Sequence, residues 1–146
     1  MANPVARRVR PYDGRSIHAA MKAHFSRIIS ASGKSWHNTI DLSAVYHHLM
    51  TSPDVMIVDE DFLVYAVTHF PWFSPTTSVV SEQLILRIRH TDAEFSCVVD
   101  ALKGLAVATN SKYVACTTGL GTGAGLDKLF ERHGFYPAAG QWALEL

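Results

Sequence analysis

The stretch Thr91-Asp92-Ala93-Glu94-Phe95 joins a strand-like run, Val79 to Arg89, to a helix-like run, Ala93 to Ala108. The first turn of a helix offers unpaired N–H groups and partial positive charge, so such a junction can hold an anion. This one contains no glycine, which makes close approach of backbone to a phosphate harder. Thr91 and Glu94 follow the Thr-x-x-Glu pattern of a capping box, which would use the free donors internally. Asp92 and Glu94 add negative charge that suits the helix dipole and repels a diphosphate.

Other residues invite chemistry with less support. Gly119-Leu120-Gly121-Thr122-Gly123-Ala124 fits the Gly-x-Gly-x-x-Ala form of a dinucleotide loop. Only 21 residues of the 146 follow Gly125, too few for the rest of such a unit. The loop reads as a strand-to-helix connection whose unhindered amides can still meet an anion. The eight histidines show no His-x-x-x-His spacing: His47 and His48 are adjacent, and His18 and His24 are six apart. With no Cys-x-x-Cys either, no metal is expected. A Gly-x-Ser-x-Gly nucleophile elbow is also lacking. Cys97 and Cys116 fall in a helix and a strand with apolar neighbours, which suits reduced thiols in a cytosol-like compartment.

The elements that must position these groups follow from periodicity. Val5 to Arg10 reads as a first strand. Ile17, Ala20, Met21, His24, Phe25, Ile28 and Ile29 recur at helical spacing, closed at Ser32-Gly33. Lys34 to Thr39 is a polar connector with Trp36 and His37. Asp41 can cap a second helix carrying Leu42, Val45, Tyr46, Leu49 and Met50, which Pro53 stops. Val55 to Val58 and Phe62 to Phe70 form a hairpin around the acidic turn Asp59-Glu60-Asp61. An aromatic loop, Pro71-Trp72-Phe73-Ser74-Pro75, leads to the strand with Leu84, Leu86 and Ile88 on one face. After the long helix come a strand at Tyr113 to Thr117 and a short helix with Leu126, Leu129 and Phe130, closed by Gly134. Short strands from Phe135-Tyr136 and over Trp142 to Leu146 end the order. The pattern implies one α/β domain over 1–146, a mixed sheet with helices on both faces.

Composition bounds the function. Apolar residues make up 48% and charged residues 18%, enough for a real core. The formal net charge is +0 and the pI about 7.1, which argues against a nucleic-acid or polybasic membrane binder. Arg7, Arg8, Arg10 and Arg15 read as a solvated strand and turn. No apolar run approaches the roughly 20 residues of a spanning helix, and Met1-Ala2-Asn3-Pro4 is no apolar leader.

The segment Leu129-Phe130-Glu131-Arg132-His133-Gly134-Phe135 resembles the closing motif of the GNAT superfamily, the acyl-CoA-dependent N-acyltransferases. Val9-Arg10-Pro11-Tyr12-Asp13 and its helix resemble the family's opening, and the order of elements is similar over nearly the whole chain. The resemblance implies a splayed sheet of six to seven strands with acetyl-CoA between the fourth and fifth. It implies cofactor contacts at Leu86, Arg87, Ile88, Arg89, Phe95 and Phe130, with the pyrophosphate on the amides before the helix. Glu82 stands at a position resembling the general base of some members; the competing reading is an outward strand residue in water.

The departures from the family are chemical. Its loop is usually Arg/Gln-x-x-Gly-x-Gly/Ala; here Arg87-Ile88-Arg89-His90-Thr91-Asp92-Ala93-Glu94 has no glycine. Arg87, Arg89 and His90 could offset part of the acidic charge. Many members carry a tyrosine in the last helix that protonates the leaving thiolate, and Phe130 at that position has no proton to give. His133 beside it reads as a helix C-terminal cap. Trp36, Trp72 and Phe73 could line an acceptor pocket, close the core, or meet a partner.

Two roles follow. In one, the cofactor site has decayed, no cofactor is held, and the fold serves as a binding or structural subunit of a larger assembly. Small proteins resembling this occur among phage virion components, which implies a protein partner or homo-oligomer and a virion-associated or host-cytoplasmic location. In the other, the chain is a working N-acyltransferase on an unknown amine, using acetyl-CoA, Glu82, and amides around Phe95 or the Gly119 to Gly125 loop. The loop chemistry favours the first.

Overall fold

The computed structural model describes residues 3–32, 38–116 and 124–137. Its elements are β1 (Ala6–Arg8), a 3-10 turn (Pro11–Asp13), α1 (Gly14–Ser32), α2 (Leu42–Thr51), β2 (Val55–Val58), β3 (Phe62–His69), β4 (Val79–Arg87), α3 (Ser96–Ala108), β5 (Tyr113–Ala115) and α4 (Ala124–Arg132). The strands form one sheet in the order β1-β2-β3-β4-β5, antiparallel except for the parallel pair β4 and β5. The α/β class and the parallel step through α3 are as the sequence implies. Five strands are present among the described residues, against six to seven expected. Phe135 and Tyr136 are not in a strand, and Trp142 to Leu146 lie outside the described residues, as do the cap Gly33, Trp36, His37 and the loop from Gly119 to Gly123.

Each face of the sheet carries its own core. Ile17 and Met21 of α1 and Leu49 of α2 pack on Val55, Ile57, Leu63, Leu86 and Ile88. On the other face Val98, Ala101, Leu102 and Ala106 of α3 pack on Val58, Phe62, Val64, Ala66 and Val80. The alternation along β2 and β3 divides their side chains between the two, as a pleated strand requires. At Gly14, α1 meets α2 so closely that an added Cβ would lie 2.7 Å from the Tyr46 hydroxyl. Asp41 caps α2, accepting a hydrogen bond of 3.1 Å from the Ala44 amide.

β4 changes face along its length. Its pairing with β3 shifts between Tyr65 and Ala66, so that Ala66 opposes Glu82 while Tyr65 opposes Leu84. Gln83 is therefore the extra residue of a β-bulge, which bends the strand and reverses the alternation. Before it, Val80 and Glu82 lie on the α3 side. After it, Leu84, Leu86 and Ile88 lie on the α1 side. Among the described residues β5 pairs with Val79, Val80 and Ser81, just before the bulge.

Candidate functional site

The junction from β4 to α3 is built from the hairpin beneath it. Asp59 and Glu60 turn the chain with positive φ of 45° and 62°, a conformation aspartate tolerates better than most residues. This turn brings the carboxylates of Glu60 and Asp61 against Arg89 and Arg87 at the end of β4, while Asp59 accepts the Val5 amide at 2.7 Å. The Asp61 side chain is fully buried. It accepts the Thr91 amide at 2.9 Å, the Thr91 hydroxyl at 2.7 Å and the Arg87 guanidinium at 3.2 Å. Its carbonyl accepts the amides of Ile88 at 2.7 Å and Arg89 at 3.2 Å. Burial alone would raise its pKa; the Thr91 bonds and Arg87 overcome that and hold it below the usual carboxylate range.

Asp13 is a second such anchor. Arg7 grips both its oxygens at 2.8 Å, Arg89 donates at 2.7 Å, and the Arg10 amide at 2.8 Å. Burial again opposes ionisation, and these donors again outweigh it, leaving the Asp13 pKa well below the ordinary value. Arg7 also reaches Glu60 at 2.6 and 2.7 Å. Arg7 is thus an internal tie between the first strand and the hairpin, not the solvated strand residue its cluster suggests. Buried carboxylates need such paired donors, because an unpaired buried charge is costly.

Arg87 and Arg89 have little left for a phosphate. Arg87 donates to the carbonyls of Arg89 at 3.2 Å and Ala93 at 3.0 Å, and lies 5.0 Å from the Phe62 ring centroid. Arg89 donates to the Glu60 carbonyl at 2.8 Å as well as to Asp13. Both guanidinium groups fasten the junction to the hairpin.

The expected capping box is not formed. α3 starts at Ser96, not Ala93, and Phe95 stands at its N-cap with no side-chain bond. Thr91 is bonded to Asp61, and the Glu94 side chain forms no hydrogen bond among the described residues. A buried carboxylate outcompetes the helix end for the threonine, since its hydrogen bond is charge-assisted. The amides of Ala93, Glu94, Phe95 and Ser96 have no acceptor among the described residues.

Those amides border a depression lined by Pro4, Asp59, Asp92, Ala93, Glu94, Ser96, Cys97 and Asp100. Four of the eight are carboxylates. The helix dipole favours an anion by about 0.3–1 kcal/mol. Each pair of like unit charges at 4 Å costs about 1 kcal/mol even in water. Four carboxylates around these amides repel a diphosphate and oppose the dipole, one of them, Asp59, also accepting the Val5 amide at 2.7 Å, so the lining is a poor match for the diphosphate of acetyl-CoA. Cys97 is pushed up to about 11, first by burial and then by the Asp59 charge, so it remains a thiol.

The remaining expected site residues separate into groups. Leu86 and Ile88 belong to the core beneath α1 and α2. Phe95 and Phe130 do come together, ring centroids 6.1 Å apart, with Phe62, His133 and Phe135 around them. His133 caps α4 as expected, its Nδ1 lying 2.8 Å from the Leu129 carbonyl. Gly134 takes a φ of 86° there, and the Phe135 amide closes on the Phe130 carbonyl at 3.0 Å. Glu82 is 2% exposed on the α3 side of β4, so it is not an outward residue in water. Its neighbour Cys116 is pushed up to about 12 by burial and then by the Glu82 charge. Trp72 and Phe73 do not close the core: they are 93% and 72% exposed and touch edge to face. Among the described residues no His, Cys, Asp or Glu group could hold a metal ion, and no helix is long and apolar enough to cross a membrane.

Sequence reasoning missed Asp13, Asp61 and Arg7. The available signal was Asp61 directly preceding the buried run Phe62–Ala66, where a carboxylate must find donors.

Solved structures share this arrangement. A ribosomal-protein-alanine N-acetyltransferase of Brucella melitensis biovar Abortus 2308 superposes with a TM-score of 0.64 at 9% identity, covering 99% of this chain and 100% of that one. A GNAT-family acetyltransferase of Listeria monocytogenes 4b F2365 gives 0.59 at 10% identity, over 94% and 89% of the chains. The fold is that of the GNAT acyltransferases. A predicted acetyltransferase of Clostridium acetobutylicum solved with acetyl-CoA also has this GNAT fold, with a TM-score of 0.59 at 10% identity over 97% and 96%. By sequence, no family model and no curated protein matches. Within this fold, β4 and β5 form three residue pairs among the described residues, Val79 with Tyr113, Val80 with Val114 and Ser81 with Ala115.

Proposed function

We propose that this GNAT-fold chain does not hold acetyl-CoA at the tip of α3 and serves as a binding or structural subunit of a larger assembly. The observation that carries this reading is the pairing of four carboxylates around the α3 amides with two arginines already bound to Asp61 and Asp13. Phe130 supports it, because a buried phenyl ring cannot protonate a leaving thiolate. The exposed Trp72 and Phe73 support a partner, since aromatic side chains are enriched where proteins meet.

A second reading, an N-acyltransferase with Glu82 as base, draws on one observation. Glu82 is buried one residue beyond the last described pair of β4 and β5, Ser81 with Ala115. A base there would have to reach the amine directly or through one water. Calorimetric titration with acetyl-CoA, paired with a thiol-release assay over a panel of amines, separates the two. The subunit reading expects neither micromolar binding nor release above the uncatalysed rate; either result would support the enzyme instead.

A further inference from the structure

One end of the sheet carries exposed aromatic rings. The register sets His69 of β3, Val79 of β4 and Tyr113 of β5 side by side there. The loop joining β3 to β4 rises from the same end. Its return is tied to the start of β5: the Ser78 and Ser111 hydroxyls lie 2.8 Å apart, and the Ser78 carbonyl accepts the Lys112 amide at 3.1 Å. Phe70, Trp72, Phe73 and Tyr113 therefore share one end of the molecule, 60%, 93%, 72% and 58% exposed. The Trp72 and Phe73 rings stand edge to face with centroids 5.7 Å apart, on a turn that the Ser74 amide closes against the Pro71 carbonyl at 2.9 Å. The two rings are thus held outward by the loop's own bonds. From Phe70 to Ser81 the chain has no charged residue.

We infer that this end of the sheet is the contact between two copies of the chain, joined about a two-fold axis with Trp72 and Phe73 at its centre. Area and charge carry this occupant. A fully covered aromatic side chain withdraws about 150–250 Å² from water, so at their exposures these four offer roughly 550 Å² per copy. A stable two-chain contact withdraws about 800 Å² per partner, and the exposed Pro75 and Thr76 beside the rings narrow the difference. A two-fold axis also sets a surface against itself, where a charge would meet its like. The loop carries none, and a formal net charge of +0 leaves no overall repulsion between copies. Lys112, exposed before Tyr113, belongs to the polar rim that such contacts keep in water. The inference deepens the binding-subunit reading by naming one partner. Its test reads mass and not cofactor binding, so either can fail alone.

The test is sedimentation velocity of the full chain from micromolar to submillimolar concentration, with Trp72→Ser, Phe73→Ser and Tyr136→Ser alongside. The parent should pass from the mass of one chain to that of two within this range. Trp72→Ser and Phe73→Ser should each weaken the association about tenfold or more, as truncation of a central aromatic does. Tyr136 follows Phe135 in the ring cluster around Phe62, at the opposite end of β3, so Tyr136→Ser removes an exposed ring and should leave the association unchanged. In solutions dilute enough that both are single chains, W72S and the parent should unfold alike, which separates a lost contact from a lost fold. A one-chain mass at every concentration, a mass beyond two chains, association indifferent to Trp72→Ser or Phe73→Ser, or equal weakening by Tyr136→Ser would each overturn the inference. So would a one-chain parent that binds neutral phosphatidylcholine vesicles through Trp72, which would make a lipid surface the occupant.

Discussion

Two depressions flank the junction between β4 and α3, and their polar side chains differ in kind. The one at the tip of α3 gathers Asp59, Asp92, Glu94 and Asp100 around amides that have no acceptor among the described residues. The one beside α1 gathers His24, Arg27 and His90 without a single carboxylate. The amides offer donors to an anion, and four carboxylates stand around them; beside α1 stands the exposed Arg27, which forms no ion pair among the described residues. The comparison teaches that an arginine's value to a ligand depends on what already holds it. Arg87 and Arg89 flank the start of the loop that leads to the helix tip, yet both are bound to buried aspartates.

The largest effect should come from breaking the ties that occupy those arginines. Asp13→Ala leaves Arg7 and Arg89 without their shared carboxylate, and should lower the unfolding free energy by about 3 kcal/mol in urea titration. Arg27→Ala, in the depression beside α1, should change it by less than about 0.5 kcal/mol. Equal losses from the two would erase the distinction between bound and free arginines.

Acid should act on the same ties. Asp13, Glu60 and Asp61 each hold a pKa below the ordinary value, so each folded carboxyl releases its proton more readily than the unfolded one. Their contribution is whole above the unfolded carboxyl pKa of about 4 and is lost as pH falls through the lower folded values. The urea midpoint should therefore drop steadily below about pH 4. Asp13→Asn should flatten that drop. A midpoint indifferent to acid would mean the carboxylates gain nothing from their partners.

The smallest effects concern chemistry and surface. Phe130→Tyr restores a hydroxyl to the last helix but leaves the acidic tip unchanged, so thiol release from acetyl-CoA should stay at background. Turnover in that variant would place the defect in the missing acid, not in cofactor binding. Trp72→Ser, at a position 93% exposed, should move stability by less than about 0.5 kcal/mol.

Much of the fold was legible because it is written in local periodicity. The face formed by Leu84, Leu86 and Ile88, the Asp41 cap and the His133 cap all depend on residues within a few positions of each other. The site was less legible because its decisive bonds are long-range. Thr-x-x-Glu looks like a capping box only until Asp61, thirty residues earlier, is brought beside Thr91. Arg87 and Arg89 look like free cations only until the hairpin turn delivers Asp61 and Glu60, and the 3-10 turn Asp13. Glu82 shares the even-numbered positions of Leu84 and Leu86, and only the bulge at Gln83 sends it to the opposite face. No strand pattern announces a bulge, so its burial could not be read from alternation.

The central claim is that the α3 amides do not receive a diphosphate, and their own NMR signals report on it most directly. In a ¹⁵N-labelled chain titrated with acetyl-CoA, the amide resonances of Ala93, Glu94, Phe95 and Ser96 should stay in place. Saturable shifts at those four residues would contradict the account.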